Sequence, residues 1–169
     1  MVEETDIAVV GAGGGGAVLA LALAQKGIKT IVLEQAPGPP QGLRGEILQP
    51  NGQHVLDRLG LLTKLPGSST RTVHQFHFCR VGGQRLCTID YRDLPPPYNR
   101  AVVTLPNVAH HAILDALENQ NPGGLWYDAT FTGLRFDGGR VVVPGDDDGD
   151  GRVAPVFARP GVVREQRGP

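Results

Sequence analysis

The first part of the chain alternates short and long apolar segments. A four-residue apolar run, Ile7–Val10, is followed by five glycines within residues 11–16 and then by an uncharged apolar stretch that reaches Ala24. A second short run, Thr30–Leu33, is apolar and mostly β-branched. Short apolar runs are typical of buried strands, and the longer one, opened by glycines, is typical of a helix. The pattern predicts a βαβ unit whose helix covers about Gly13 to Lys26.

The glycine spacing gives this unit a candidate binding chemistry. Gly11, Gly13 and Gly16 form a G-x-G-x-x-G motif between strand and helix, and Glu34 ends the second strand, 34 − 11 = 23 residues after Gly11. In this context the glycines permit a tight turn, close approach of the backbone to a pyrophosphate, and close packing of helix on strand. An acid about 20 residues further on accepts hydrogen bonds from ribose hydroxyls. The motif therefore predicts a dinucleotide site.

Six residues of this region are predicted to bind the cofactor: Gly11, Ala12, Gly13, Gly16, Glu34 and Gln35. The N–H groups and the dipole at the helix N-terminus would hold the phosphates. Because Gln35 follows the acid where an arginine could stand, a 2′-phosphate would meet repulsion without a compensating cation, which favours FAD or NAD over NADP. The alternative is that the glycines only pack a βαβ unit that binds no ligand.

Composition narrows the class of protein. The 169 residues suit one domain with a small insertion, and 16 basic against 17 acidic side chains leave a net charge of −1. No basic face is expected for nucleic acid, so the expected partners are small molecules or proteins. Glycines interrupt the long apolar stretch, and the acidic residues Glu3, Glu4 and Asp6 precede it where a secretory signal carries basic ones. We therefore predict a cytoplasmic chain without a transmembrane segment.

A second helix is predicted after residue 50. Asn51 is a candidate N-cap, Val55, Leu56 and Leu59 form an apolar stripe, and Gly60 follows as a stop signal.

A hairpin is predicted from Thr72 to Asp90, where the side chains alternate between two faces around a turn at Gly82-Gly83. Cys79 and Cys87 are too few for a disulfide framework, and we interpret them as buried apolar fillers in the two adjacent strands.

The remaining elements complete an α/β pattern. A short strand at Val102–Leu105 precedes a helix capped by Asn107, and Leu125–Ala129 is predicted to be the third parallel strand. The buried face of the helix is expected at Ala109, Ile113, Leu114 and Leu117. Three further strands are predicted as a β-meander at residues 130–136, 140–143 and 152–158.

Metal sites are not expected. His74 and His77 lie three apart in a predicted strand, and such residues face opposite sides. Residues 146–151 copy the first half of a calcium loop, but its twelfth position is Phe157, which cannot supply the bidentate ligand.

Three stretches together resemble one family. The segment V-V-G-A-G-x-x-G, the acid at the end of the second strand, and the stretch R-G-E-I-L-Q-P-N-G followed by L-D-R-L-G-L are similar to those of the class A flavoprotein monooxygenases. Glu46–Pro50 is particularly similar to the squalene epoxidase and ubiquinone-pathway hydroxylase branch.

The resemblance implies a fold and further site residues. The fold would be a three-layer FAD/NAD(P)-binding Rossmann-like domain with a parallel sheet, helices, a β-meander crossover and a small inserted β-hairpin that forms part of the substrate chamber. Arg44 matches an arginine that touches FAD in the family. His111 stands where members usually carry an arginine, and an imidazole is expected to make a weaker phosphate contact near neutral pH.

The resemblance also sets expectations for domain organisation and function. Residues 1–158 are expected to be a partial FAD-binding domain with an insertion at 72–93, with residues 159–169 as a disordered tail and the C-terminal part of the fold missing. The expected function is the FAD-binding part of an NAD(P)H- and O2-dependent monooxygenase that hydroxylates or epoxidises an aromatic or alkene substrate. No catalytic residue is identified. Two alternatives stay open: a non-catalytic dinucleotide-binding module, and one half of a split enzyme completed by a second polypeptide.

Overall fold

A computed structural model of the chain describes residues 3–41, 45–105, 107–137, 140–143 and 156–158. The chain divides into two compact units, one formed by Met1–Pro39 with Ile113–Pro169 and the other by Pro40–Ala112. The strands, in chain order, are β1 (Glu3–Thr5), β2 (Ile7–Val10), β3 (Thr30–Leu33), β4 (Glu46–Leu48), β5 (Thr70–Val73), β6 (Gln75–Cys79), β7 (Arg85–Asp90), β8 (Ala101–Thr104), β9 (Leu125–Trp126), β10 (Arg135–Asp137), β11 (Arg140–Val143) and β12 (Val156–Ala158). The α-helices are α1 (Gly14–Ala24), α2 (Pro50–Arg58) and α3 (Val108–Gln120).

The predicted βαβ unit opens the first unit. β2, β3 and β9 form a parallel sheet in that order, with Ile7 opposite Thr30 and Val32 opposite Leu125. β2 and β3 have the bounds that the sequence predicted, and the helix between them is three residues shorter than expected. β9 ends at Trp126, earlier than expected, because Asp128 has a positive φ of 53° that turns the chain out of the strand.

The predicted β-meander forms a second sheet in the same unit. β10, β11 and β12 pair antiparallel in succession. β1, which the sequence did not predict, pairs parallel with β12 at the edge of this sheet. Val143 of the meander packs with Ile31 and Leu33 into one apolar cluster, against which Trp126 also packs. The apolar runs identified in the sequence therefore supply the core of this unit, as the hydrophobic effect requires.

The other unit contains two small antiparallel sheets. β4 and β5 flank β8, and β6 pairs with β7 as a hairpin. The hairpin predicted for residues 72–90 therefore begins later than expected. Its first residues belong to β5 (Thr70–Val73), which pairs with β8, so the hairpin consists of β6 and β7.

Helix α2 also differs from its prediction at its N-terminus. The N-cap is Gln49, with Pro50 in the first turn, and Asn51 lies inside the helix. Proline suits the first turn because its missing N–H would have no partner there. Gln53 is fully buried, and its Nε2 donates hydrogen bonds to the carbonyl oxygens of Leu48 and Arg100, at 2.9 and 2.7 Å. A polar residue thus anchors this helix, which the apolar stripe did not indicate.

The prediction that the two cysteines are buried is wrong. Cys79 and Cys87 lie in adjacent strands, as expected, but both thiols are free and exposed. Helix α3 agrees with expectation, since Ala109, Ile113, Leu114 and Leu117 are all buried. Among the described residues, no helix is long and apolar enough to span a bilayer.

Candidate site at the carboxyl end of the parallel sheet

The glycine motif forms the turn between β2 and α1, and each of its glycines has a different environment. Gly11 has a φ of +91°, a conformation that favours glycine, and its N–H donates to the Leu33 carbonyl at 2.7 Å. A Cβ on Gly16 would lie 2.0 Å from the Gly11 carbonyl oxygen, so the helix approaches the turn too closely for a side chain. A Cβ on Gly13 would meet nothing within 4 Å. Gly11 thus forms the turn, Gly16 allows close packing of the helix, and Gly13 leaves open space.

The N-terminus of α1 suits an anion. Its N-cap, Gly13, is exposed and offers no side-chain cap, and the first turn contains no acidic residue. Gly14 and Gly15 are also exposed and carry no side chain that would cover the helix end. N–H groups of a first helical turn have no partner within the helix, so they can donate to phosphate oxygens here.

Glu34 lies beside this turn. Its Oε2 accepts a hydrogen bond from the Ala12 N–H at 2.7 Å, and its Oε1 accepts one from the Ala36 N–H at 2.9 Å. The two bonds hold the carboxylate between the glycine turn and the corner that follows β3. Each carboxylate oxygen has a second lone pair, so both can accept further hydrogen bonds from ribose hydroxyls.

The segment at the end of β9 also bonds to Glu34. The Trp126 carbonyl accepts from the Glu34 N–H at 2.8 Å, and the Ala129 N–H donates to the Glu34 carbonyl at 2.9 Å. Between these bonds the chain forms a two-residue corner, Tyr127 and Asp128. Burial raises the pKa of Tyr127, and the carboxylate of Glu34 and those of two acids on α3 raise it further. Sequence reasoning missed this corner, although its position directly after the third parallel strand could have indicated it.

The site residues predicted from the sequence are thus largely brought together at one edge. Ala12 is buried and donates to Glu34, while Gln35 is exposed directly after Glu34. An adenosine diphosphate group fits this edge, because bare helix N–H groups meet phosphates and a carboxylate meets the sugar.

The other two predicted residues belong to the Pro40–Ala112 unit. Arg44 lies outside the described residues. His111 is exposed in the first turn of α3, and its Nε2 is 3.1 Å from the Pro40 carbonyl oxygen. That nitrogen donates the bond when it carries the ring proton.

No metal centre is found in the part of the chain that the structure describes, where no three His, Cys, Asp or Glu side chains cluster. The calcium-like stretch 146–151 falls outside that part.

Comparison with known proteins gives the site a context. The family described as FAD binding domain matches residues 4–146. The 6-methylpretetramide 4-monooxygenase of Streptomyces rimosus is 40% identical over 117 residues, covering 68% of this chain and 27% of that protein. Squalene epoxidase 5 of Arabidopsis thaliana is 44% identical over 63 residues, which are 37% of this chain and 12% of that protein. The chain therefore spans about a quarter or less of the length of these relatives.

Solved structures share the fold. The p-nitrophenol 4-monooxygenase PnpA from Pseudomonas putida DLL-E4 superposes with a TM-score of 0.80 at 22% identity, covering 94% of this chain and 40% of that one. The flavin-dependent monooxygenase PieE, solved in complex with FAD and substrate, gives a TM-score of 0.68 at 18% identity, with 92% of this chain and 29% of that one covered.

Proposed function

Because the chain belongs to the FAD-binding domain family of the flavin-dependent monooxygenases, we propose that its glycine turn and Glu34 hold the adenosine diphosphate half of FAD. We further propose that the chain serves as the cofactor-binding part of an enzyme that uses NAD(P)H and O2 to hydroxylate or epoxidise an aromatic or alkene substrate. A cytoplasmic location belongs to the same proposal, and cell fractionation tests it.

One contact carries the proposal. The Glu34 carboxylate is bonded to the Ala12 N–H inside the glycine turn at 2.7 Å. This bond places a sugar-binding acceptor next to the open phosphate-binding end of α1, and an adenosine diphosphate group needs both.

The residues of the chain would bind and orient the cofactor. N–H groups of Gly14 and Gly15 would donate to the pyrophosphate, and Glu34 would accept from the ribose hydroxyls. The bound FAD would supply the redox chemistry, passing electrons from NAD(P)H to O2. The described residues contribute positioning to such a reaction.

Flavin titration of the purified chain tests the proposal. FAD is added to the nucleotide-free protein, and flavin fluorescence anisotropy reports binding. Gly13→Val places a branched side chain in the space left for the pyrophosphate, and we expect at least a tenfold loss of FAD affinity. Gly67→Val is the matched control, because Gly67 also lacks a positive φ and has open space at its Cβ. Equal FAD affinity of both variants and the parent would contradict the proposal.

The same purified protein distinguishes the enzyme from the non-catalytic alternative. A chain that binds ADP or NAD but no flavin, and stays colourless, would favour a dinucleotide-binding module. A yellow protein that consumes NAD(P)H in the presence of O2 would favour the enzyme.

A second candidate is one half of a split enzyme, and the edge of β2 favours it. Among the residues that the structure describes, β2 is hydrogen-bonded to β3 alone, and it consists of four apolar residues. Ile7 and Gly11 donate towards β3, so by alternation the main-chain groups of Ala8 and Val10 point to the other side. An apolar strand with such an edge is suited to pairing with an added strand.

Coexpression tests this candidate. The chain is produced together with the remaining segment of the Streptomyces rimosus relative, and we expect the two to copurify with flavin. Val10→Lys, at a side chain that is 55% exposed, should reduce copurification because a charged edge strand resists pairing. Equal recovery with the Val10→Lys variant would contradict pairing at this edge.

A further inference from the structure

Three main-chain hydrogen bonds connect the corner formed by Tyr127 and Asp128 to the site. Trp126 and Ala129, on either side of it, bond to the two main-chain groups of Glu34, at 2.8 and 2.9 Å. The Asp128 N–H donates to the Ala36 carbonyl at 3.1 Å. Because Ala36 also donates its own N–H to the Glu34 carboxylate, the corner and the sugar-binding acid form one connected network.

Tyr127 directly follows a residue that packs on the core. Trp126 packs against the apolar cluster of Ile31, Leu33 and Val143. Tyr127 comes next, where β9 has ended, and its side chain is half-buried. Burial raises the pKa of its phenol, and the charges of Glu34, Glu118 and Asp115 raise it further.

The backbone of Asp128 supports a specific role for the corner. Its φ of +53° is uncommon for a residue with a side chain, and such conformations concentrate at binding sites. The turn at Asp128 ends β9 and leaves Tyr127 at the carboxyl edge of the sheet. A half-buried aromatic ring beside a sugar-binding carboxylate is a surface on which a nucleobase can pack.

We propose that the ring of Tyr127 stacks on the adenine of the bound dinucleotide and that Asp128 is a positioning residue which holds the ring there. The inference rests on the proposed function, because it assumes an adenosine group with its ribose at Glu34. Aromatic stacking on a base changes affinity by about tenfold or more. The hydroxyl of Tyr127 contributes little to this contact, since stacking uses the face of the ring.

ADP binding tests the inference without flavin. Trp126 is the single tryptophan of the chain and lies next to Tyr127, so its fluorescence reports ligand at this corner. We expect Tyr127→Ala to weaken ADP binding about tenfold, by the loss of stacking, and Tyr127→Phe to stay within about twofold of the parent. Phe131→Ala is the matched control, because Phe131 is an exposed aromatic residue in the same segment.

Inorganic pyrophosphate distinguishes base stacking from a change in fold. Pyrophosphate competes only for the helix N-terminus, so its affinity should be equal in the parent and in Tyr127→Ala. An equal loss for pyrophosphate and ADP would overturn the inference in favour of a structural role, and a Tyr127→Phe variant as weak as Tyr127→Ala would overturn stacking in favour of the hydroxyl.

Failure of the inference is distinguishable from failure of the proposed function. If the parent protein binds neither ADP nor FAD, the proposed function fails. If the parent binds ADP and Tyr127→Ala binds it equally well, the function stands and the stacking role of Tyr127 is wrong.

Discussion

Glu34 and Ala12, which are 22 positions apart, are joined by a hydrogen bond of 2.7 Å between a carboxylate oxygen and a main-chain N–H. The second carboxylate oxygen bonds to Ala36 at 2.9 Å. The same side chain thus bonds to the glycine turn, and under the proposed function it would also accept the ribose hydroxyls. The fold and the proposed nucleotide binding would therefore share one carboxylate.

Replacing Glu34 is expected to affect both properties. Glu34→Ala removes two hydrogen bonds to a charged group, each contributing about 1.5–3 kcal/mol, and should lower the free energy of unfolding and the ADP affinity together. Glu34→Gln keeps an amide oxygen that can accept one bond, so its losses should be smaller. Urea denaturation and ADP titration measure the two effects.

Glu118→Gln is the control for this pair, because Glu118 also accepts a main-chain bond, from Gly123 at 3.1 Å, but is exposed. A Glu34→Ala variant with the stability of Glu118→Gln would show that the network contributes nothing to folding.

Gly16 and Gly15 provide a comparison of neighbouring glycines in one helix. Gly16→Ala places a methyl group 2.0 Å from the Gly11 carbonyl oxygen, and overpacking of this kind destabilises by about 1–3 kcal/mol. Gly15→Ala meets no atom within 4 Å, and alanine is the better helix former by up to about 1 kcal/mol. We expect opposite shifts of the urea midpoint, and shifts of the same sign would contradict the close packing at Gly16.

Gln53 is expected to be essential for the stability of the Pro40–Ala112 unit. Gln53→Leu removes the donor to two carbonyl groups, those of Leu48 and Arg100, at a fully buried position. Each lost hydrogen bond contributes about 0.5–1.5 kcal/mol. Loss of the Gln53 Oε1, a buried atom without a hydrogen-bond partner among the described residues, offsets part of this, and the thermal midpoint should fall. Gln120→Leu, at the exposed last residue of α3, should change it little. Equal midpoints for the two variants would contradict the anchoring role.

Two tyrosines are expected to ionise late in a pH titration. The pKa of Tyr98 is raised by the hydrogen bond that its hydroxyl donates to Asp57 at 2.6 Å, and burial raises the pKa of Tyr127. Because both shifts favour the protonated form in the folded state, their stabilisation is fully present below pH 10.0 and is lost as the pH rises further. The tyrosinate absorbance of these two residues should therefore develop above that pH.

The variants Tyr98→Phe and Tyr127→Phe identify which tyrosine gives each late ionisation. Each variant should remove one late ionisation from the absorbance titration. If either variant leaves the late part of the curve unchanged, the corresponding shift is wrong.

Local patterns in the sequence were sufficient to predict the strands and the glycine turn that form the candidate site. The apolar runs predicted β2 and β3 with their observed bounds, and the G-x-G-x-x-G spacing with Glu34 predicted the residues that meet at the carboxyl edge. The buried face of α3 and the order of the meander strands followed in the same way. These features depend on periodicity and on residues close in sequence, which a single chain displays directly.

Contacts between distant residues could not be obtained in this way. Thr70–Val73 pairs with β8 and not within the hairpin, the two cysteines are exposed, and Gln53 is fully buried. Trp126 and Ala129, which flank Tyr127, bond to the main chain of Glu34, although Tyr127 and Glu34 are 127 − 34 = 93 positions apart. Strand pairing and burial are determined by which surfaces meet after the chain folds, and alternation along a strand is the same whichever partner it finds.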